Sequence, residues 1–355
     1  MKRRTPLIVL SALGVLALAG DLFALLVSGG GAPTSAAKTA AIDDPHRDPG
    51  LPKAQRTRLL RAVDAVSQDV PAAELAAQGR ALFRSSAPAF NGESCQSCHT
   101  EGGSNSGANP AGGTLGLGTI PHESNPALAG TLGDPQIGFT GLRDAPALYG
   151  VGETDPFGWA GNVSTLEGFA LNAVANHFNQ PDRTPQNIAA LSAYMRTVQA
   201  PTSDFDRGTL TPSAIRGQEV FQNQGGCIGC HLGPNFTDGL LHNVGVPQPA
   251  AATDSGVAPR SDGQQCGTPA TNANPDPAAP AACLFNTPGL RGGARTAPYF
   301  HNGIAKSLRQ VVNFYNGAPA CGVSDPPALS SVSTIAPLGL TCQEASDLVE
   351  YLKSL

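Results

Sequence analysis

Methionine is nearly missing: of 355 residues only Met1 and Met195 carry a thioether. Any site needing a methionine ligand therefore has one internal candidate to draw on. Charge is scarce as well, with 14% Asp, Glu, Lys and Arg, a formal net charge of −5 and no Lys/Arg run beyond the extreme N-terminus. That excludes a surface built for a polyanion, and no nucleic-acid partner is expected. No run alternates convincingly with period two, which argues against a sheet-based core. What is present is helical periodicity broken by 42 glycines and 31 prolines, so the chain is read as mainly α with long Gly/Pro loops. Its length favours two domains, each able to bury its own core.

The N-terminus joins Lys2-Arg3-Arg4 to TPLIVLSALGVLALAGDLFALLVSGGG, a pattern of export type. Two readings stand for residues 1–28. A cleaved signal peptide would end at Ala17-Leu18-Ala19, whereas an inner-membrane anchor would keep Leu7 to Val27, with Asp21 near its end. Either places the chain in the periplasm, soluble or tethered. Residues 29–71, rich in Ala, Gly and Pro, are read as a flexible linker with a short helical stretch around Arg56 to Val66 and a solvated His46.

The rest of the chain repeats one organisation. QGRALFRSSAPAFNGESCQSCHT (Gln78 to Thr100) is echoed by RGQEVFQNQGGCIGCHL (Arg216 to Leu232), and Arg143 to Phe169 by Asn286 to Val312. The second echo pairs Pro146 with Pro288, Trp159 with His301 and Leu166 with Leu308, each 142 residues apart. Each copy closes on a helical pattern, IAALSAYMRTVQ and EASDLVEYLKSL. A helix, a Cys-x-x-Cys-His and a terminal helix are the parts of a small helical haem domain. The expected architecture is two tandem cytochrome c-type domains, 72–202 and 203–355, with one covalent haem each.

Cys95-Gln-Ser-Cys98-His99 and Cys227-Ile-Gly-Cys230-His231 carry that expectation. In a c-type attachment motif two thiols add across the haem vinyl groups and the next histidine ligates iron. One match could be a zinc half-site, but two at equivalent places of a repeat in an exported chain point to two covalent haem c groups. The other cysteines, Cys266, Cys283, Cys321 and Cys342, are disulfide candidates in an oxidising compartment; pairing Cys266 with Cys283 and Cys321 with Cys342 would close local loops.

The sixth iron ligands come down to inventory. Met195 falls on the face of Ile188, Leu191 and Val198, where core packing is expected, so the second haem has no methionine of its own domain. His242, His301, Tyr299, Tyr315 and Tyr351 are its candidates. Leu308, Val311, Val312 and Tyr315 share helical spacing, which turns Tyr315 inward. For the first haem the distal candidates are His122 and His177.

GCIGCHLGPNFTDGLLHNVGV, NTPGLRGGARTAPYFHNGIAKSLRQVV, RDAPALYGV and FGWAGNVSTLEGF together resemble the bacterial di-haem cytochrome c peroxidases, including their MauG-type branch, over about residues 72–355. The resemblance implies a peroxide-reacting N-terminal haem and an electron-transferring C-terminal haem, whose sixth ligand lies fourteen positions after the His of the TAPYFH-type motif. Here that position is Tyr315, the residue type of the MauG branch. It further implies Trp159 as an inter-haem relay, His301 and Arg291 in the haem-two pocket, His122 as a loop ligand that caps resting haem one, and an inter-domain calcium ion at Asp144, Thr296 and Pro298.

The family's distal Pro-x-Glu-Met segment is missing. ALNAVANHFNQPDRTPQ stands there with no carboxylate before Asp182, leaving His177 or Glu167 to handle the protons of peroxide cleavage. Three functions follow. One is a periplasmic peroxidase that reduces hydrogen peroxide to water with electrons from a small cytochrome c or cupredoxin. The second is a MauG-type oxidase of a partner protein, and the third a non-catalytic electron carrier.

Overall fold

Two helices of the chain begin at a Thr-Pro pair. The hydroxyl of Thr184 accepts the backbone N–H of Asn187, and that of Thr211 accepts the N–H of Ala214, while Pro185 and Pro212 preset the first helical turn. The computed structural model describes residues 52–85, 94–99, 144–161, 163–177, 184–247, 256, 266, 283–317 and 335–355. All of them belong to one compact unit, Pro33–Leu355. In chain order the helices are α1 Lys53–Asp69, α2 Ala72–Arg84, α3 Cys95–Cys98, α4 Leu166–His177, α5 Pro185–Arg196, α6 Asp204–Arg207, α7 Pro212–Gln222, α8 Leu308–Asn316 and α9 Cys342–Lys353. Strands β1 (Leu241–His242) and β2 (Phe285–Asn286) pair antiparallel, Leu241 opposite Asn286 and His242 opposite Phe285.

The helices build two cores by the same device. In the first, α2 crosses α5 at Gly79, where a Cβ would lie 1.9 Å from the Ala190 carbonyl oxygen. One turn later Phe83 meets Tyr194 edge-on at 5.1 Å. In the second, α7 crosses α9 at Gly217, where a Cβ would lie 1.9 Å from the Asp347 carbonyl oxygen, and Phe221 meets Tyr351 edge-on at 5.3 Å. Only glycine lets the backbones approach so closely, and the aromatic four residues on fills the space beside the crossing. Burying each of these phenylalanines, both 2% exposed, contributes about 2 kcal/mol.

The helical stretch expected around Arg56 to Val66 is α1, but it packs against the first core where a flexible linker was expected. Val63 is fully buried in the first core, and Leu59, Leu60 and Val66 pack around it. The exposed Arg58 and Arg61 dilute this apolar stripe in the sequence, which is why composition alone reads as tether.

Between the cores the 142-residue repeat becomes an interlock. Gly150 and Gly292, at φ of 69° and 67°, each cap a 3₁₀ turn, Val151–Glu153 and Gly293–Arg295. Their N–H groups bond to Val198 O and Leu355 O, just beyond α5 and α9. Phe157 bridges Val163 and Tyr299 bridges Ala305, again 142 apart. The two copies then exchange hydrogen bonds: Asp144 N–H to His301 O at 2.7 Å, and Asn286 N–H to Trp159 O at 2.8 Å. Each donor and acceptor of the first bond is the repeat counterpart of one in the second, so the copies meet about a pseudo-two-fold.

Candidate functional site

The attachment motif of the second half is held by its own backbone. Gly226, at φ 59°, caps a 3₁₀ turn over Cys227–Gly229, and the N–H groups of Cys230 and His231 both bond to Cys227 O. The turn presents both thiols and the histidine from one short segment. Burial lowers the pKa of His231 and so favours the neutral ring that a metal requires. Nδ1 lies 2.9 Å from the Phe236 carbonyl oxygen, to which it can only donate, leaving the Nε2 lone pair free for iron. The Pro288 carbonyl acts on the same ring.

The first-half site is built alike. His99 N–H bonds to Cys95 O at 2.9 Å, and burial pushes the ring pKa down to about 4. Its buried Nδ1 has no hydrogen-bond partner among the described residues, and the carbonyl of Pro146, the repeat counterpart of Pro288, acts on the ring. Neutral, buried imidazoles beside paired cysteines suit a covalently attached haem iron at both places. The thiol of Cys227 is pushed up to about 11 by burial, and Cys95, Cys227 and Cys230 form no disulfide. The Cys98 side chain lies outside the described residues, as does that of His177, whose backbone ends α4; His122 and Arg143 lie outside them altogether.

Among the second-half candidates for the sixth ligand, four are engaged elsewhere. Tyr351 is 1% exposed within the helix crossing. Tyr299 donates its hydroxyl to Gly293 O at 3.0 Å. His242 is paired with Asp238 at 2.7 Å, and His301 is stacked on Phe285 at 3.7 Å between ring centroids. Tyr315 is different, because the charges that act on its phenol are those of Cys227 and Cys230, which raise its pKa after burial. α8 therefore holds Tyr315 within electrostatic reach of the haem-two attachment thiols. The expected inward face of Leu308, Val311, Val312 and Tyr315 is only partly what the helix buries. Asn313, Phe314 and Asn316 are buried too, because α8 is gripped by Phe300 on one side and the residues before α9 on another.

Trp159 stands at the interlock. Its Nε1 donates to Asp144 O at 2.7 Å, and its ring meets His301 edge-on at 6.4 Å. His301 is thus set where the two halves meet. Of the calcium candidates, Asp144 is buried with Lys306 acting on it, and the Thr296 hydroxyl donates to Gly293 O at 3.1 Å. Glu167 is tied to Arg196 at 2.6 Å, and Met195 packs in the first core. Cys266 and Cys283 form a disulfide; Cys342 is also disulfide-bonded, while Cys321 lies outside the described residues.

Two arrangements went unread in the sequence. Asp238 and His242 gather with Cys230 within 4.8 Å. His242 is pushed up to about 10 by Asp238 and then by Cys230, a contribution that a thioether at Cys230 would remove. Arg291 bonds its Nε to Pro234 O at 2.8 Å and its Nη1 to Asp206, with its guanidinium over the rings of Phe205 and Phe236. The spacing Asp-x-x-x-His was visible as a possible pair, but nothing local marks the partners of Arg291.

No protein-family model matches the chain. It is 34% identical over 200 residues to cytochrome-c peroxidase IdrP1 of Denitromonas iodatirespirans, a match that covers 49% of this chain and 50% of that protein. The chain spans about half the length of the curated peroxidases it matches. Against the methylamine utilization protein MauG of Methylorubrum extorquens it is 28% identical over 352 residues, 94% of this chain and 93% of that one. In three dimensions it superposes on a MauG-like protein associated with microbial copper homeostasis with a TM-score of 0.54 and 25% identity, covering 79% of this chain and 88% of the other. The interlocked halves, the repeated attachment motifs and these likenesses agree: the chain is similar in sequence and in fold to di-haem cytochrome c peroxidases and MauG proteins.

Proposed function

We propose that the chain is a periplasmic di-haem peroxidase, in which hydrogen peroxide takes two electrons and two protons to give two waters at the N-terminal site. The electrons come from a small cytochrome c or cupredoxin and pass through the C-terminal site. When bound, the two haems supply one-electron redox chemistry, and the N-terminal one supplies the place of peroxide reduction. The chain's residues do the rest. Cys95 and Cys98, and Cys227 and Cys230, tether the groups as thioethers. His99 and His231 stay neutral through burial and offer Nε2. Trp159 lies in the seam between the halves, and its Nε1–H is held by a carbonyl, which is no base; the indole therefore keeps its proton while an electron passes. The single observation that supports the reading is the reciprocal hydrogen-bond exchange in which Trp159 takes part, where the two halves meet.

A second reading, a MauG-type oxidase acting on a partner protein, is favoured by Tyr315 beside Cys227 and Cys230. Tyrosinate donates more strongly than methionine and lowers the potential at which that site gives up an electron. The test is peroxide-dependent oxidation of a reduced small cytochrome c by the purified di-haem protein. Turnover that falls at least about tenfold in Trp159→Phe, with both haems still attached, supports the peroxidase and its relay. Unchanged turnover in the variant removes the relay. A wild-type protein that oxidises no donor yet holds a two-electron-oxidised state after peroxide favours the second reading.

A further inference from the structure

The two halves differ at one position of the interlock in a way that singles out the second haem site. The residue three after Pro288 is Arg291, whereas its repeat counterpart three after Pro146 is Tyr149. Arg291 reaches across the second half and holds a loop. Its Nε donates to Pro234 O at 2.8 Å, its Nη1 binds Asp206 of α6, and its guanidinium lies 5.1 Å from the Phe205 ring and 5.2 Å from the Phe236 ring. Next to it, Leu290 N–H bonds to Asn235 O at 3.2 Å, and a Cβ on Gly289 would press on that same oxygen at 2.9 Å. Residues 289–291 thus grip residues 234–236 from end to end.

That loop ends at Phe236, whose carbonyl takes the Nδ1 proton of His231. Phe236 is a non-glycine residue at φ 54°, a left-handed conformation that an L side chain leaves unless its surroundings hold it. The Phe205 and Phe221 rings, edge-on to its own, and Arg291 over its face hold it there. We propose that Arg291 is a positioning residue for haem two, clamping the Pro234–Phe236 loop so that the Phe236 carbonyl stays on His231 Nδ1. The hydrogen bond makes the imidazole a stronger donor to iron, which stabilises the oxidised form and keeps the potential of this site low. In the first half Tyr149 instead packs its ring on Gly292. The inference rests on His231 as an iron ligand and on neither reading of the activity.

The measurement is the reduction potential of each haem, by spectroelectrochemical titration of the full di-haem protein, in wild type, Arg291→Met and Arg291→Lys. Arg291→Met is expected to raise the haem-two potential and leave haem one unchanged. Arg291→Lys keeps the charge but loses the fork and the stacked plane, so it should give a smaller rise in the same direction. If Arg291→Met fails to mature with two haems, the lysine variant decides alone. Potentials unmoved in the variants, or both haems shifting together as general loosening would cause, overturn the proposal. Because potentials are read without substrate, failure here is distinct from failure of peroxide turnover.

Discussion

Asp347 shows at the scale of one residue how the second core is pinned. Its carboxylate takes two bonds from Arg216 at 2.8 Å, one from Gln343 at 3.0 Å and one from the Ser213 hydroxyl, and its side chain is 3% exposed. The Arg216 guanidinium outweighs burial, which acts in the opposite direction, and holds its pKa down to about 2. A depressed folded-state pKa stabilises above the unfolded value near 4 and loses that stabilisation as pH falls toward 2. Asp347→Asn should therefore lower the denaturation midpoint at pH 7, with the gap to wild type closing between about pH 4 and pH 2. A gap that stays constant over that range contradicts the assignment. At this scale the sequence was informative where a pattern is local, as in both attachment motifs and the helical period that turns Tyr315 inward; the resemblance, not spacing alone, singled out Tyr315 and put Arg291 in the haem-two pocket. The sequence was silent on Phe236 and on the partners of Arg291, because these are a carbonyl 57 residues away and a carboxylate 85 residues away, and a backbone oxygen leaves no residue type to read.

At the scale of elements, the two helix crossings carry the fold. The pairs Gly79 with Phe83 and Gly217 with Phe221 were visible as a repeated Gly and Phe before each attachment motif. What the sequence could not say is that each glycine faces a carbonyl of the closing helix. Gly217→Ala puts a Cβ 1.9 Å from the Asp347 oxygen, so α7 and α9 must separate. The expected loss is about 1–3 kcal/mol or more in chemical denaturation. Gly293→Ala, where nothing lies within 4 Å, is the matched control and should change stability by less than about 0.5 kcal/mol. Equal effects of the two would contradict the crossing. α1 was legible as a helix but not as part of a core, for a related reason: a helix that contributes only a narrow apolar stripe to a core looks like a charged tether when read by composition.

At the scale of the whole molecule, a repeat of 142 residues was legible as aligned motifs, and it became three-dimensional as paired 3₁₀ turns, paired bridges and the exchange of hydrogen bonds between Asp144, His301, Asn286 and Trp159. Reciprocity of this kind is a property of how two copies dock, so no single stretch of sequence records it. A repeated scaffold gives two similar haem sites, and the chemistry depends on what makes them differ. The differences lie at Trp159 against His301, Tyr149 against Arg291 and, above all, at Tyr315, which stands beside Cys227 and Cys230. We propose, as the central claim, that Tyr315 ligates the second iron and sets that site apart from the first. It is tested most directly by electron-resonance and visible spectra of the oxidised di-haem protein, wild type against Tyr315→Phe. The account predicts that one haem changes its signature in the variant while the other keeps its own; identical spectra from the two proteins would contradict it.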